Sequence, residues 1–263
     1  LRLKWAKNTA VDGYAIEQMI DGEWTEIADI DSYKTTEYKV TGLKASTKYS
    51  FRMKAYAITK YGDKTYSGYT STLSKTTSPA NVTGLVIGGR AGTALRLNWT
   101  KNTSADGYII EQYKGGKWTQ IADITDNATT TYRIDGLSPA TQYKFRVKAY
   151  NMVGTTALYS NYTATLAAYT NPSAVSGLKI AGKAGTALRL GWTQNTTADG
   201  YIIEQYIDGK WTRIARIAGN ETLSYRVENL TKATTYKFRV ATYNIEDNVA
   251  YYGAYVTTSG TTL

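Results

Sequence analysis

The sequence predicts an all-β protein built as three tandem two-sheet sandwiches, the first of them lacking its opening strand. Three observations predict it. Trp5, Trp99 and Trp192 recur 94 and then 93 residues apart, and Tyr49, Tyr143 and Tyr236 repeat those spacings. The 263 residues are therefore three copies of a unit of about 93, a usual size for a small sandwich. Within each copy, apolar and polar residues alternate over short runs, the period of a half-buried strand. Clusters of Asn, Thr, Asp and Gly separate the runs, as turns do. The copies divide at residues 1–78, 79–171 and 172–263.

The first shared strand reads LRLKW, with Leu1, Leu3 and Trp5 on the core parity; Leu95, Leu97, Trp99 and Leu188, Leu190, Trp192 repeat it. A turn follows (KNTAVDG, KNTSADG, QNTTADG), then a strand, YAIEQM or YIIEQY. On that strand Tyr14, Ile16, Tyr108, Ile110, Tyr201 and Ile203 point inward. Asp21-Gly22, Gly115-Gly116 and Asp208-Gly209 turn the chain into a hairpin partner, EWTEIADI, KWTQIADI or KWTRIARI. A short strand follows at Tyr38–Val40, Tyr132–Ile134 and Tyr225–Val227.

Next comes the most regular stretch: GLKASTKYSFRMKAY, GLSPATQYKFRVKAY and NLTKATTYKFRVATY, where Asn229 replaces an opening glycine. In the first copy Tyr49, Phe51, Met53 and Ala55 share one parity, and Ser50, Arg52, Lys54 and Tyr56 the other. A variable loop and a last strand near Tyr69–Leu73, Tyr162–Leu166 and Tyr255–Thr258 end each unit. Units two and three also carry an opening strand, PANVTGLVIGGRAGTA and PSAVSGLKIAGKAGTA, that unit one lacks. The joins, SKTTSPANV and AAYTNPSAV, are short and stiffened by Pro79 and Pro172.

The chain has no Cys and no His, so a disulfide, a thiolate nucleophile, an imidazole base and a Cys/His zinc site are excluded. No run of 18 apolar residues is present, so membrane insertion through a helix is not expected. No signal peptide is visible, and the chain opens inside a strand, as an excerpt of a longer polypeptide would. The net charge is +10, and the basic excess is three, four and three in the three units. That even spread fits a solvated surface, not a nucleic-acid patch.

At the Trp of the second strand, the Tyr of the third and the Leu-x5-Tyr corner (Leu43 with Tyr49, Leu137 with Tyr143, Leu230 with Tyr236), all three units resemble the fibronectin type III family. The resemblance implies an immunoglobulin-like sandwich of one three-stranded and one four-stranded sheet. Such a fold hosts many roles. The Tyr- and Thr-rich, Cys-free style is similar to tandem modules of secreted or surface bacterial proteins, which implies an extracellular or cell-surface location. The Arg-Gly-Asp loop of some animal adhesive modules is absent from all three copies.

The first candidate surface is the outer face of the larger sheet. Glu17, Glu111 and Glu204 point outward there, and the family fold makes Arg52, Arg146 and Arg239 their neighbours. Around them lie Ile109, Tyr113, Trp118 and Tyr150 in unit two and Ile202, Tyr206, Trp211 and Tyr243 in unit three. Unit one has Ala15, Met19, Trp24 and Tyr56. Such a face would stack on a cell-surface glycan or meet a protein; equally, its aromatic and ion pairs stabilise a sheet. Structure is the favoured reading.

The second candidate is the variable loop, with Tyr159 and Tyr252 as contact residues. Eight Asn-x-Thr/Ser motifs, at Asn81, Asn98, Asn102, Asn127, Asn161, Asn195, Asn220 and Asn229, are read as chance in an Asn- and Thr-rich chain. Asp12, Asp106 and Asp199 are read as turn residues bonding their own backbone; one carboxylate per turn makes no calcium cage. No cofactor, metal or catalytic residue is expected. The function expected is a non-catalytic spacer or stalk in a larger surface or secreted protein. The alternative is an adhesin or a carbohydrate- or protein-binding array using the aromatic faces and Tyr-rich loops.

Overall fold

The computed structural model describes residues 1–263 and contains strands only. In unit two, β8 (Val86–Arg90), β9 (Ala94–Asn98) and β12 (Thr131–Asp135) form a small antiparallel sheet in the order β12-β9-β8. The larger sheet orders β11 (Lys117–Ile124), β10 (Gly107–Lys114) and β13 (Gln142–Val153), with β14 (Thr156–Tyr159) and β15 (Leu166–Tyr169) both paired to β13. Unit three repeats this. Its small sheet is β16 (Ser176–Ala184), β17 (Ala187–Thr193) and β20 (Ser224–Val227). Its larger sheet is β19 (Lys210–Ala218), β18 (Gly200–Ile207) and β21 (Thr235–Glu246), edged by β22 (Val249–Tyr252) and β23 (Val256–Thr261).

In unit one the small sheet is only β1 (Arg2–Lys4) on β4 (Glu37–Lys39). The larger sheet is β3 (Glu23–Ile30), β2 (Gly13–Ile20) and β5 (Lys48–Ile58), with β6 (Lys64–Tyr66) and β7 (Leu73–Thr76) on β5. The missing strand has a packing consequence. Val82, Leu85 and Ile87 help close the core of unit two, and Val175, Leu178 and Ile180 that of unit three. Unit one has no such cover, and an apolar groove opens along Leu3, Trp5, Phe51, Met53 and Leu73. Its core holds 4 buried residues against 13 and 10 in the others.

Local chemistry sets the turns. Asp21-Gly22, Gly115-Gly116 and Asp208-Gly209 all have positive φ at both positions, the turn that matches strand twist. At the corner, Gly42 and Gly136 have φ of 70° and 73°, and Asn229 takes their place at 57°, the left-handed conformation that Asn tolerates best after Gly. The corner hydroxyls of Tyr49, Tyr143 and Tyr236 accept the backbone N–H of Lys44, Ser138 and Thr231 at 2.9, 2.8 and 2.8 Å.

Two sequence expectations need correction. The last strand begins later than predicted, at Leu73, Leu166 and Val256; Tyr69, Tyr162 and Tyr255 precede it. The variable stretch is also not merely a loop, because β6, β14 and β22 make it a hairpin on the long strand.

Hydrogen bonds within single units anchor the join segments. Asn102 Nδ2 donates to Ala80 O at 2.6 Å, and Asn195 Nδ2 to Ser173 O at 2.9 Å. Asn171 N–H donates to Ala91 O and Ala140 N–H to Asn171 O, both at 3.1 Å. The Ser46 hydroxyl of unit one meets the Ser104 carbonyl of unit two. Across the second join Tyr169 and Tyr251 pack with ring centroids 5.9 Å apart, and the Arg90 guanidinium lies 5.1 Å from the Tyr251 ring.

Candidate functional site

The predicted Glu–Arg pair forms in every unit. Glu111 lies directly opposite Arg146 across β10 and β13, beside a register slip between Ile110 and Glu111. Arg146 Nη2 and Nε reach Glu111 Oε2 at 2.6 and 2.8 Å. The corresponding Nη2–Oε2 distances are 2.7 Å for Arg52–Glu17 and 2.5 Å for Arg239–Glu204.

A third group completes the site, and parity alone did not reveal it. The Tyr162 hydroxyl donates to Glu111 Oε1 at 2.5 Å, and its ring lies 3.8 Å from the Arg146 guanidinium. Trp118 covers the other side of that guanidinium at 4.3 Å. Tyr69 with Trp24 and Tyr255 with Trp211 repeat the sandwich around Arg52 and Arg239. The recurring Tyr of SGY, SNY and GAY was the available signal, obscured by its assignment to the last strand.

These contacts set the titration. Burial raises the Glu111 carboxyl, but the Tyr162 hydroxyl and the Arg146 charge outweigh it and hold the group below its ordinary value; Glu17 behaves alike with Tyr69 and Arg52. Burial, then the bond to Glu204, pushes the Tyr255 phenol up to about 12.

The centre of the face is closed rather than an open aromatic platform. Ala15, Ile109 and Ile202 on its centre are buried, and each Arg is committed to one Glu and two rings. Tyr150 and Tyr243, predicted as accessible members, are also buried. Their rings lie over Gly107 and Gly200, where an added Cβ would stand 2.8 and 2.9 Å from ring carbons and closer still to a backbone carbonyl. The accessible members are Tyr113 and Tyr206, 42% and 43% exposed, set edge-on against half-buried Trp118 and Trp211 at 5.4 and 5.2 Å.

The variable hairpins divide by side. Tyr159 and Tyr252 stand exposed opposite Tyr150 and Tyr243. Tyr251 faces the preceding unit at the join. The turn aspartates do not bond their own turn: Asp12, Asp106 and Asp199 accept the backbone N–H of Ile58, Met152 and Ile245 on the long strand at 2.6, 2.7 and 2.7 Å. They brace a hairpin. No cluster of three or more acids, His or Cys has metal-binding geometry. Several Asn-x-Thr/Ser asparagines serve the fold, Asn102 and Asn195 at the joins and Asn127 and Asn220 bonding Ala105 and Ala198 carbonyls.

A model of the fibronectin type III domain matches residues 78–166 and 173–252. With two sheets and the tyrosine corner in place, the chain belongs to the fibronectin type III family. Among its relatives, "Receptor-type tyrosine-protein phosphatase eta" of Gallus gallus is 28% identical, covering 91% of this chain and 16% of that protein. "Exoglucanase B" of Cellulomonas fimi is 24% identical, covering 92% of this chain and 22% of that protein. "Neogenin" of Homo sapiens is 26% identical, covering 95% and 18%. The chain thus spans less than a quarter of these relatives' own lengths. The crystal structure of the chicken CNTN1 FN1-FN3 domains is 21% identical, covers 99% of this chain and 93% of that one, and superposes with a TM-score of 0.42.

Proposed function

We propose that the chain is a non-catalytic spacer, three modules of a stalk in a larger extracellular or cell-surface protein. One observation carries this reading: the acids that recur in all three units are each engaged within the fold. Glu111 and Arg146 neutralise each other under two rings, and Asp106 braces a hairpin. No acid that recurs in all three units is left free to work on a substrate. Short, hydrogen-bonded joins suit a part that holds its neighbours at a set separation. Small-angle scattering tests this. The chain should give a longer, narrower distance distribution than a variant with flexible Gly-Ser segments inserted after Ser78 and Asn171. Identical profiles would refute the spacer.

A second reading, an adhesive array, is favoured by the exposed edges of Tyr113–Trp118 and Tyr206–Trp211. Trp118→Ala with Trp211→Ala, assayed on a neutral-glycan array and against surface proteins, decides it. Loss of binding at an unchanged melting temperature would make these edges a site. A lower melting temperature with no ligand in the parent chain would leave them structural.

A further inference from the structure

Lys54, Lys148 and Ala241 stand at one position of the long strand, directly opposite Ala15, Ile109 and Ile202. In unit one the Lys54 ammonium lies 4.1 Å from the Tyr66 ring centre and 5.0 Å from that of Tyr69. It donates to the Tyr69 hydroxyl at 3.1 Å and stands 3.9 Å from Glu17 Oε1. In unit two Lys148 lies 4.1 Å from the Tyr159 ring centre and 4.8 Å from that of Tyr162. Two rings and a carboxylate thus form a slot for a cation, and these units fill it with their own lysine.

Unit three keeps the slot and lacks the lysine. Tyr252, Tyr255 and Glu204 repeat the rings and the carboxylate, with Tyr255 donating to Glu204 Oε1 at 2.9 Å. Ala241 is buried and ends at its Cβ. A cleft of about 360 Å³ opens at this place, lined by Ile202, Glu204, Arg213, Tyr252 and Tyr255. Both tyrosines are exposed.

The rim of the cleft changes with it. Arg213 lies directly across from Glu204, where units one and two have Glu26 and Gln120. It is exposed, lines the cleft and joins no ion pair. Arg216, across from Ile202, replaces Asp29 and Asp123, and its guanidinium lies 4.5 Å from the Tyr243 ring centre. Unit three therefore sets guanidinium groups beside a slot that suits an ammonium. A lone cation would meet their repulsion. A ligand with an anion next to its ammonium would use both.

We propose that the cleft of unit three binds a zwitterion of the phosphocholine type, a quaternary ammonium joined to a phosphate by a short chain. The ammonium enters between Tyr252 and Tyr255 beside Glu204, as the lysines do in the other units. Aromatic faces attract a quaternary ammonium without needing a hydrogen bond from it, and Ile202 gives its methyl groups an apolar wall. The phosphate meets Arg213, whose planar fork of donors matches phosphate oxygens. The site does not include the Tyr206–Trp211 edge and stands whether or not that edge binds.

The test follows the ring signals of Tyr252 and Tyr255 by nuclear magnetic resonance in the whole chain, with phosphocholine, choline and inorganic phosphate as probes. Phosphocholine should move both rings, choline should bind more weakly, and phosphate should hardly move them. Arg213→Gln, an exposed change, should weaken phosphocholine about tenfold, the loss of a charge-assisted bond, and leave choline no weaker. Ala241→Lys restores the lysine of units one and two; it should abolish the shifts without lowering the melting temperature. Tyr252→Ala, on the exposed hairpin, should weaken binding as seen at Tyr255 and serves should the lysine variant not fold. Phosphatidylcholine vesicles distinguish the source. Cosedimentation would assign a membrane headgroup, and binding of soluble phosphocholine alone would assign the same group carried on another molecule. No shift with phosphocholine would overturn the proposal. So would phosphate or choline binding as tightly as phosphocholine, or a folded Ala241→Lys chain that binds undiminished.

Discussion

Tyr162 holds Glu111 from the side that Arg146 leaves open: the phenol donates to Oε1 at 2.5 Å while the guanidinium takes Oε2. The carboxylate is thereby answered on both oxygens, and the tyrosine ring roofs the cation. Tyr162→Phe keeps the ring and removes one bond to a charged group. It should cost about 1–2 kcal/mol, toward the low end for bonds to ions because the site is partly solvated. Tyr162→Ala, which also uncovers Arg146, should cost more. Calorimetric melts that place the two variants together would contradict the double role.

The corner tyrosine separates in the same way. Tyr143→Phe should lose the bond from Ser138 N–H and about 1 kcal/mol. Tyr143→Ala also deletes volume packed on Phe145 and should cost about 3–5 kcal/mol by analogy with Phe→Ala. Denaturant midpoints measure both, and equal values would show that the hydroxyl and not the ring matters.

Gly107 is required by what lies over it. A Cβ there would stand 2.1 Å from Ile124 O and 2.7 Å from the Tyr150 hydroxyl. Gly107→Ala should destabilise by about 3 kcal/mol, the upper range of overpacking. Adding Tyr150→Ala should not rescue it, because the Ile124 carbonyl remains. Recovery of the melting temperature in the double variant would show that only the ring was in the way.

Unit one should be the weakest module. It has 4 buried core residues where its neighbours have 13 and 10, and β1 has an uncovered edge. Expressed separately, units two and three should melt cooperatively and unit one at a lower temperature or not at all. Equal stabilities would mean that the opening strand adds little.

Acid should loosen the large sheets in a defined direction. Glu17 and Glu111 titrate in the fold below their ordinary value of 4.5. A lowered folded pKa gives stability that is complete above the unfolded pKa and lost as pH falls through the folded one. The parent chain should therefore lose stability below about pH 4.5. Glu111→Gln should be less stable at neutral pH and show a shallower acid decline. At the alkaline end Tyr150 and Tyr255, both raised to about 12, stay neutral in the fold while the unfolded chain ionises from about 10. Stability should fall as pH rises from 10 toward 12. A flat profile at either end would contradict the corresponding contacts.

Much of the scaffold was legible in the sequence because strand alternation and turn chemistry are local signals. Glu111 and Arg146 could be put on one face by parity, and Asn229 could be recognised as a glycine substitute. What a residue meets from outside its own strand is not local. Tyr162 reaches Glu111 from 51 residues away. The hairpin strands β6, β14 and β22 escaped because their sequences differ between copies.

Units two and three share the seven residues GYIIEQY in β10 and β18. Each of these strands lies in the middle of its larger sheet, between its hairpin partner and the long strand. A chain emerging during synthesis therefore carries two interchangeable central strands one unit apart, the condition under which neighbouring repeats trade pieces and become trapped. What differs between the copies, the hairpins and the contacts at the joins, then acts as an address label, returning each strand to the sheet from which it came.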